Sequence, residues 1–330
     1  MDLLLFYILS PLVNALVATI LGFVVYFRNR KELLNKVFSL FCGAAAIWAY
    51  SYFVWFLLKD KNLVLLNHRI FLMGASTFIA ILFFHSVLAF TNKIRQYKNF
   101  LTAGYIIFSI FLLICWFTPF IVRDVEPELF FEFWPKAGIL LPYFLAAWYF
   151  YFLLSGYIIF KEAKRVSSLS SKTDVSYRAQ LKYILVGGII GLVGSISNYF
   201  LWYGIPIPPI ANFFVAVGMI IVAYGIVKHR LFNIKLLISE LLVFSIWIIV
   251  VARTALSNGI QELVINGILA VLVFVVGVLL MRSVSKEVEI EKIELKETQR
   301  NLDIEQRLRK TFAEIAEEQT REIEKMIFKQ

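Results

Sequence analysis

Nine apolar runs alternate with short polar segments along most of the chain. Each run approaches or exceeds the roughly 20 residues that a helix needs to cross the hydrocarbon core of a bilayer. The eighth is the least regular, since Glu240 lies near its start. The pattern predicts membrane-spanning helices at Leu3–Phe27, Val37–Leu58, Ile70–Phe90, Leu101–Val122, Ile139–Ile159, Tyr183–Leu201, Ile210–Val227, Leu236–Val251 and Val264–Met281.

The composition indicates a membrane protein. Hydrophobic residues make up 60% of the chain and charged residues only 17%, whereas soluble domains carry about 25% charged residues. Inside a bilayer the backbone must satisfy its own hydrogen bonds, which leaves helices or closed barrels. Continuous apolar runs, rather than alternating segments of about ten residues, favour helices. The predicted fold class is all-α: a polytopic membrane protein with seven plus two spans, followed by a long cytoplasmic helix.

Lysine and arginine are distributed unevenly over the predicted loops. With the N-terminus outside, the inner loops hold sixteen of them and the outer loops six. Because basic loops remain in the cytoplasm, we expect an N-terminus outside, a C-terminus in the cytoplasm and a location in the cell (inner) membrane. The net charge of +10 comes from the membrane part, since the residues from Arg282 onward are nearly neutral. Basic loops beside anionic lipid headgroups explain this charge, and no nucleic-acid partner is expected.

Two predicted outer loops have unusual compositions. The segment 123–138 carries Phe130, Phe131, Phe133 and Trp134 close together. We interpret these rings as an interfacial aromatic belt at the level of the lipid headgroups; the alternative is a lid over a ligand cavity. The segment 202–209 contains three prolines and no charge, which predicts a stiff connection between the sixth and seventh spans.

Few polar side chains interrupt the predicted spans. Four of them are Asn14, His85, Asn198 and Asn212. Each is either an interhelical hydrogen-bonding residue or part of a ligand pocket, and His85 is also a candidate pH sensor. Apart from Glu240, the predicted spans contain no Asp, Glu, Lys or Arg. This disfavours proton-coupled transporters and pumps, which normally place ionisable groups within the membrane.

No catalytic, metal or cofactor site is predicted. Cys42 and Cys115 lie in apolar runs without metal-ligand spacing. The sequence also lacks a recognisable nucleophile–base spacing and a phosphate-binding glycine loop.

The character of the chain changes after Met281. Residues 282–330 contain no proline or glycine and are rich in Glu, Lys, Arg and Gln, which favour helix. Their apolar residues recur about every seven positions with one slip, a pattern typical of an interrupted coiled coil. The predicted seam consists of Val288, Leu295, Leu302, Leu308, Phe312 and Ile315. We expect a homodimer through this helix; the alternative is a solvated helix without a partner.

The sequence from Arg178 onward resembles a known family. It contains R-A-Q-L-K-Y-I-L-V-G-G-I-I-G, then S-N-Y-F-L-W-Y-G-I-P-I-P-P, then V-A-Y-G-I-V-K-H-R-L-F-N-I. These segments are similar to the close of the N-terminal seven-transmembrane sensor region of bacterial histidine kinases. Residues 1–234 resemble that sensor in length and topology. The connector that joins such sensors to a kinase core resembles the two further predicted spans, 235–281, and the charged helix, 282–330. The resemblance implies a sensor that perceives an extracellular or membrane-borne cue and controls autophosphorylation of a cytoplasmic histidine.

The predicted cytoplasmic helix lacks what a kinase core requires. The last histidine is His229 and the last glycine is Gly277, so the helix has no phosphoacceptor and no glycine-rich nucleotide motif. We therefore expect no enzyme activity, and a relay through the C-terminal helix to a partner or missing kinase domain. One alternative is a small-solute transporter or channel that uses the four polar residues. Another is a lipid-modifying enzyme with His85 as its base.

Overall fold

The computed structural model describes residues 2–167 and 172–227 and, beyond them, 243, 246, 250, 264, 266–284, 286, 293, 297, 304 and 305. Contacts within the chain separate two units. The first contains residues up to Phe232 together with Phe244–Ile249, and the second contains Asn233–Val243 and the residues from Val250 onward.

Nearly all described residues of the first unit are helical. The helices are α1 (Asp2–Arg28), α2 (Leu33–Trp55), α3 (Lys61–Asn67), α4 (Met73–Phe90), α5 (Lys98–Phe117), α6 (Leu141–Ser167), α7 (Lys172–Ile196) and α8 (Phe214–Val227). A π-helical turn, His68–Leu72, joins α3 to α4, so that Lys61–Phe90 forms one continuous span. Six spans in this unit are long and apolar enough to cross a membrane, and α8 is a shorter apolar helix.

These helices confirm the predicted all-α polytopic membrane fold. In the second unit, Asn266–Val284 also forms an apolar helix of spanning length, where the ninth span is predicted. The count of nine stays a prediction, because most of Leu236–Val251 lies outside the described residues. The six predicted seam residues of the C-terminal helix also lie outside them.

Six helices of the first unit form a closed ring. In the order α1, α2, α4, α6, α7 and α8 each contacts the next, and α8 returns to α1. α5 lies outside the ring against α4. Large apolar side chains on the outer surface, such as Phe117 and Ile139, are exposed, as expected where lipid rather than water is the solvent.

A β-hairpin, which the sequence did not predict, lies between α5 and α6. Strand β1 (Val122–Glu128) pairs antiparallel with β2 (Phe131–Ala137). We call the end of the bundle that carries it the hairpin end. Phe131 and Trp134 are only 3% and 1% exposed, so the aromatic-belt interpretation is wrong for these two rings. They pack inward because the hairpin folds over the helix ends, where Phe131 contacts the Tyr7 ring and Trp134 the Trp55 ring.

Helices α7 and α8 approach each other through glycines. Gly187 and Gly191 are four residues apart on α7, which places them on one face of the helix, and Gly218 lies opposite on α8. A Cβ atom added to Gly187 would lie 2.7 Å from the carbonyl oxygen of Gly218. A Cβ on Gly218 would lie 2.6 Å from the carbonyl oxygen of Gly187. The two backbones are therefore in direct contact, as in other small-residue helix pairs in membranes.

The third observed span begins at Lys61 rather than at Ile70. Asp60 starts the helix early by accepting a hydrogen bond from the backbone N–H of Leu63 at 2.9 Å. As a result, Arg69 lies inside a span. The prediction that the spans lack Asp, Glu, Lys and Arg is therefore wrong for this span, which contains Lys61 and Arg69.

The fifth observed span extends to Val166 and so includes Glu162. This carboxylate is 1% exposed and lies 2.7 Å from Lys93 Nζ and 2.5 Å from Arg165 Nη2. The two cations compensate the loss of water around the carboxylate, which explains how a charged residue is tolerated at this end of the bundle.

Helix α8, where the seventh span is predicted, begins at Phe214 rather than at Ile210. Two 3₁₀ turns, Ser197–Tyr199 and Leu201–Tyr203, follow α7. Gly204 then takes a left-handed conformation at φ +71°, which favours glycine. Asn198 therefore lies in a 3₁₀ turn and Asn212 in the turn before α8. Both asparagines lie at the hairpin end, where backbone groups are free to bind side chains.

Candidate functional site

A cavity of about 80 Å³ lies inside the helix ring, near the hairpin end. Residues from α2, α4, α6, α7 and α8 form its walls, and Pro135 of β2 also lines it. Its volume exceeds the 10–15 Å³ or so that one water requires by this measure. It therefore has room for several water molecules or one small ligand.

Most of the cavity wall is apolar, and aromatic rings dominate it. One face of α2 contributes residues at a spacing of three and four, which brings them to the same side of the helix. The nine aromatic lining residues are Phe41, Trp48, Tyr52, Trp55, Phe83, Trp148, Phe152, Tyr199 and Trp202. Small residues of α7 and α8, including Gly187, Gly191 and Gly218, complete the wall and leave space that larger side chains would fill.

Three buried polar atoms of the lining residues have no hydrogen-bond partner among the described residues. They are Tyr52 Oη, His68 Nε2 and Asn198 Oδ1. The exposed fractions of these residues are 3%, 0% and 5%. Buried polar groups are nearly always paired, and each exception requires an explanation. A bound molecule or ordered water in the cavity would supply the missing partners.

The π-helical turn positions His68 in the wall. Its Nδ1 lies 2.8 Å from the carbonyl oxygen of Val64, so Nδ1 carries the hydrogen and Nε2 is an acceptor in the neutral ring. The π turn also exposes backbone carbonyls, of which Arg69 O accepts from Cys115 Sγ at 3.4 Å and Ile70 O from Trp116 Nε1 at 3.2 Å. Such turns are frequent at functional sites, and this one brings an imidazole to the cavity.

Three of the four polar residues predicted from the sequence meet at one end of the cavity. Asn14 Nδ2 donates to Asn212 O at 3.0 Å, and Asn14 Oδ1 accepts from Ala216 N at 3.0 Å. Asn198 Nδ2 donates to Ser195 O at 3.1 Å and to Asn212 Oδ1 at 3.4 Å. This asparagine network connects α1, the end of α7 and the first turn of α8. Only Asn198 lines the cavity itself.

His85 lies apart from this site. Its Nδ1 is 2.9 Å from Tyr105 Oη, so the residue joins α4 to the outer helix α5. It does not line the cavity. The structure therefore separates His85 from the three asparagines with which the sequence grouped it.

The hairpin packs against one end of the helix ring, and its Pro135 lines the cavity. Trp55 Nε1 donates to Phe133 O at 2.9 Å, and the Trp55 and Trp134 rings meet at a centroid distance of 4.7 Å. Trp134 Nε1 is buried and lacks a partner among the described residues. The sequence-based alternative, a lid over a ligand cavity, stays a prediction.

Charged contacts hold β1 to the third span. Arg69 donates two hydrogen bonds to Val122 O, at 3.1 and 3.0 Å, and one to Arg123 O at 3.1 Å. Lys61 Nζ lies 2.8 Å from Asp124 Oδ2. The hydrogen bond from Lys61, with further help from the Val125 N–H and the charge of Arg69, lowers the pKa of Asp124.

The sequence analysis missed Tyr52, His68 and the glycine contact. Signals for two of them were present: Trp48, Tyr52 and Trp55 follow helical spacing, and Gly187 with Gly191 forms G-x-x-x-G. In the part of the chain that the structure describes, no group of three or more His, Cys, Asp or Glu could hold a metal ion.

Comparison with known proteins gives one match. The model of the family described as "N-terminal 7TM region of histidine kinase" matches residues 10–235, which is more than half of the chain. Searches of curated proteins and of solved structures found no significant match.

Proposed function

The chain belongs to the family of N-terminal 7TM regions of histidine kinases, and from this premise we propose that it detects a cue in the cavity of the helix ring. The observation that carries the proposal is that three of the residues lining the cavity each hold a buried polar atom without a hydrogen-bond partner among the described residues. Ligand pockets typically combine an apolar wall with a few convergent polar groups, and this cavity has both.

The asparagine network offers a route from the cavity to α8. Asn198 lines the cavity, and its Nδ2 contacts Asn212 Oδ1 at 3.4 Å. A ligand that draws Asn198 toward the cavity would weaken this contact. It would thereby change how the start of α8 is held against Asn14.

The output is proposed to leave the unit through the chain that follows α8. The predicted seam from Val288 to Ile315 would form a homodimeric coiled coil and pass the change to a cytoplasmic kinase domain. An interrupted seam suits this role, since a relay needs two arrangements of similar free energy. In this proposal the hairpin faces outward and the C-terminus lies in the cytoplasm of a cell with the protein in its inner membrane.

A fusion experiment tests the relay. A histidine kinase core is joined after Gln330 in each of the seven heptad registers, and autophosphorylation is measured in membranes. We expect Tyr52→Phe, which removes one polar atom from the cavity wall, to change the phosphorylation level in at least one register. The matched variant Tyr105→Phe, outside the cavity, should leave it unchanged.

The relay proposal fails if all registers are insensitive to Tyr52→Phe and also to Asn198→Leu. A transporter or channel would instead give solute flux in proteoliposomes. Loss of that flux on changing Asn14, Asn198 or Asn212 would replace the sensor proposal.

A further inference from the structure

We infer that the cavity binds a small, neutral, flat molecule that carries hydrogen-bond donors, the class to which phenol and indole belong. The inference deepens the proposed sensor function, because such a molecule would be its cue. It rests on the charge, the hydrogen-bonding pattern and the shape of the cavity.

The charge of the wall selects a neutral ligand. Among the described residues that line the cavity there is no Asp, Glu, Lys or Arg. An anion or cation that enters such a site loses its hydration without gaining an opposite charge, which is costly. Aromatic faces attract cations, but a typical contribution of about 0.5–2 kcal/mol is small beside the loss of hydration.

The polar atoms of the wall require donors from the ligand. His68 Nε2 is an acceptor because Nδ1 donates to Val64 O. Asn198 Oδ1 is an acceptor because the Nδ2 group of the same amide donates to Ser195 O and Asn212 Oδ1. Tyr52 Oη can accept or donate. A hydroxyl, amine or ring N–H therefore fits the wall better than a carbonyl, which only accepts.

The shape of the wall favours a flat ring. Trp48, Trp55, Trp148 and Trp202 all line the cavity, and aromatic rings pack well against one another in edge and offset arrangements. At about 10–15 Å³ for one water, the cavity of about 80 Å³ has room for roughly five to eight water-sized atoms. The roughly seven non-hydrogen atoms of phenol match this size, and the roughly nine of indole slightly exceed it.

Titration calorimetry on the full chain in lipid nanodiscs tests the inference. The probes are phenol, toluene of nearly the same shape without a donor, and the ions benzoate and benzylammonium. Phenol is neutral at pH 7, since a phenolic hydroxyl ionises only near about pH 10. Empty nanodiscs correct for partition into lipid. We expect saturable binding of phenol and no saturable binding of either ion.

Variants of the wall separate hydrogen bonding from apolar contact. Tyr52→Phe should weaken phenol binding about fivefold, the value of one neutral hydrogen bond of about 1 kcal/mol, and leave toluene binding unchanged. Asn198→Leu should act in the same way. Tyr105→Phe should affect neither probe. Since four of the seven tryptophans line the cavity, quenching of tryptophan fluorescence gives a second measurement.

Two results would overturn the inference. One is the absence of saturable phenol binding, which would mean that the cavity does not bind the proposed class of ligand. The other is equal phenol affinity in the parent chain, Tyr52→Phe and Asn198→Leu. The fusion experiment fails separately: if phenol binds but never changes phosphorylation, the ligand class stands and the sensor proposal falls. If a molecule of another class controls phosphorylation while phenol does not bind, the sensor proposal stands and the proposed ligand class falls.

Discussion

The close backbone contact between α7 and α8 predicts the effect of adding a single methyl group at Gly187. Gly187→Ala places a Cβ atom 2.7 Å from Gly218 O and 2.8 Å from the backbone nitrogen of Val222. Ordinary contact begins at 3.4 Å, so α8 must move away by about 0.7 Å. Backbone atoms cannot rotate aside as a side chain does, which makes the movement one of the whole helix.

The magnitude follows from two opposing effects. Overpacking of a well-packed interior typically costs about 1–3 kcal/mol, while alanine in place of a helical glycine gains about 0.5–1 kcal/mol. We therefore expect Gly187→Ala to lower the free energy of unfolding by about 0–2.5 kcal/mol relative to the parent chain, and by about 1–3 kcal/mol relative to glycine-to-alanine changes without a clash.

Two matched glycines on helices provide the controls. A Cβ on Gly191 would come no closer than 4.0 Å to any atom considered, and a Cβ on Gly43 meets nothing within 4 Å. Gly191→Ala and Gly43→Ala should therefore leave stability unchanged or raise it by up to about 1 kcal/mol. The assay is unfolding of the purified chain in detergent, by heat and by SDS titration, followed by circular dichroism. If Gly187→Ala proves as stable as the two controls, the close backbone contact between α7 and α8 is refuted.

Three further predictions concern polar contacts. Asp124→Asn should destabilise the hairpin at pH 7 by about 0.2–1 kcal/mol, as for other exposed ion pairs. Because Lys61 lowers the pKa of Asp124, the parent chain should lose this stabilisation as the pH falls through that pKa, and the variant should not. Hydrogen exchange of the hairpin amides measures both effects. Glu162→Gln should destabilise the fold by about 1–3 kcal/mol, because it removes the carboxylate partner of Lys93; thermal unfolding measures this, and an unchanged midpoint would contradict it. Asn14→Leu should lower the free energy of unfolding by about 0.6–1.7 kcal/mol and increase amide hydrogen exchange in the first turn of α8. An increase confined to α1 would contradict this prediction.

The membrane architecture could be predicted because it depends on local sequence properties. Each span of the first unit is visible as an apolar run, and hydrophobicity alone decides between lipid and water. The boundaries were less predictable. Lys61 and Arg69 suggest a loop, but Asp60 caps a helix there and Arg69 uses its guanidinium on hairpin carbonyls, so the span starts nine residues earlier than Ile70.

The candidate site was predictable only residue by residue. Asn14, Asn198 and Asn212 stand out as amides within or beside apolar runs, but Asn14 and Asn212 are 198 positions apart. They meet because the ring closes with α1 against α8, which is a tertiary property. His68 gave no signal at all, since its position in the cavity wall depends on the π turn and on an extended third span.

The site and the glycine contact are parts of the same physical arrangement. Gly187, Gly191 and Gly218 line the cavity and also bring α7 and α8 into backbone contact. Replacing Gly187 or Gly218 with a larger residue would both fill space in the cavity and push the two helices apart, whereas an alanine at position 191 would leave the helix contact unchanged. A molecule in the cavity therefore contacts α7 and α8, whose backbones meet without side chains between them. Asn198 and Asn212 connect the same two helices at the hairpin end. In the proposed relay, a bound ligand would shift α8 because the residues that line the cavity also form the contact between α7 and α8.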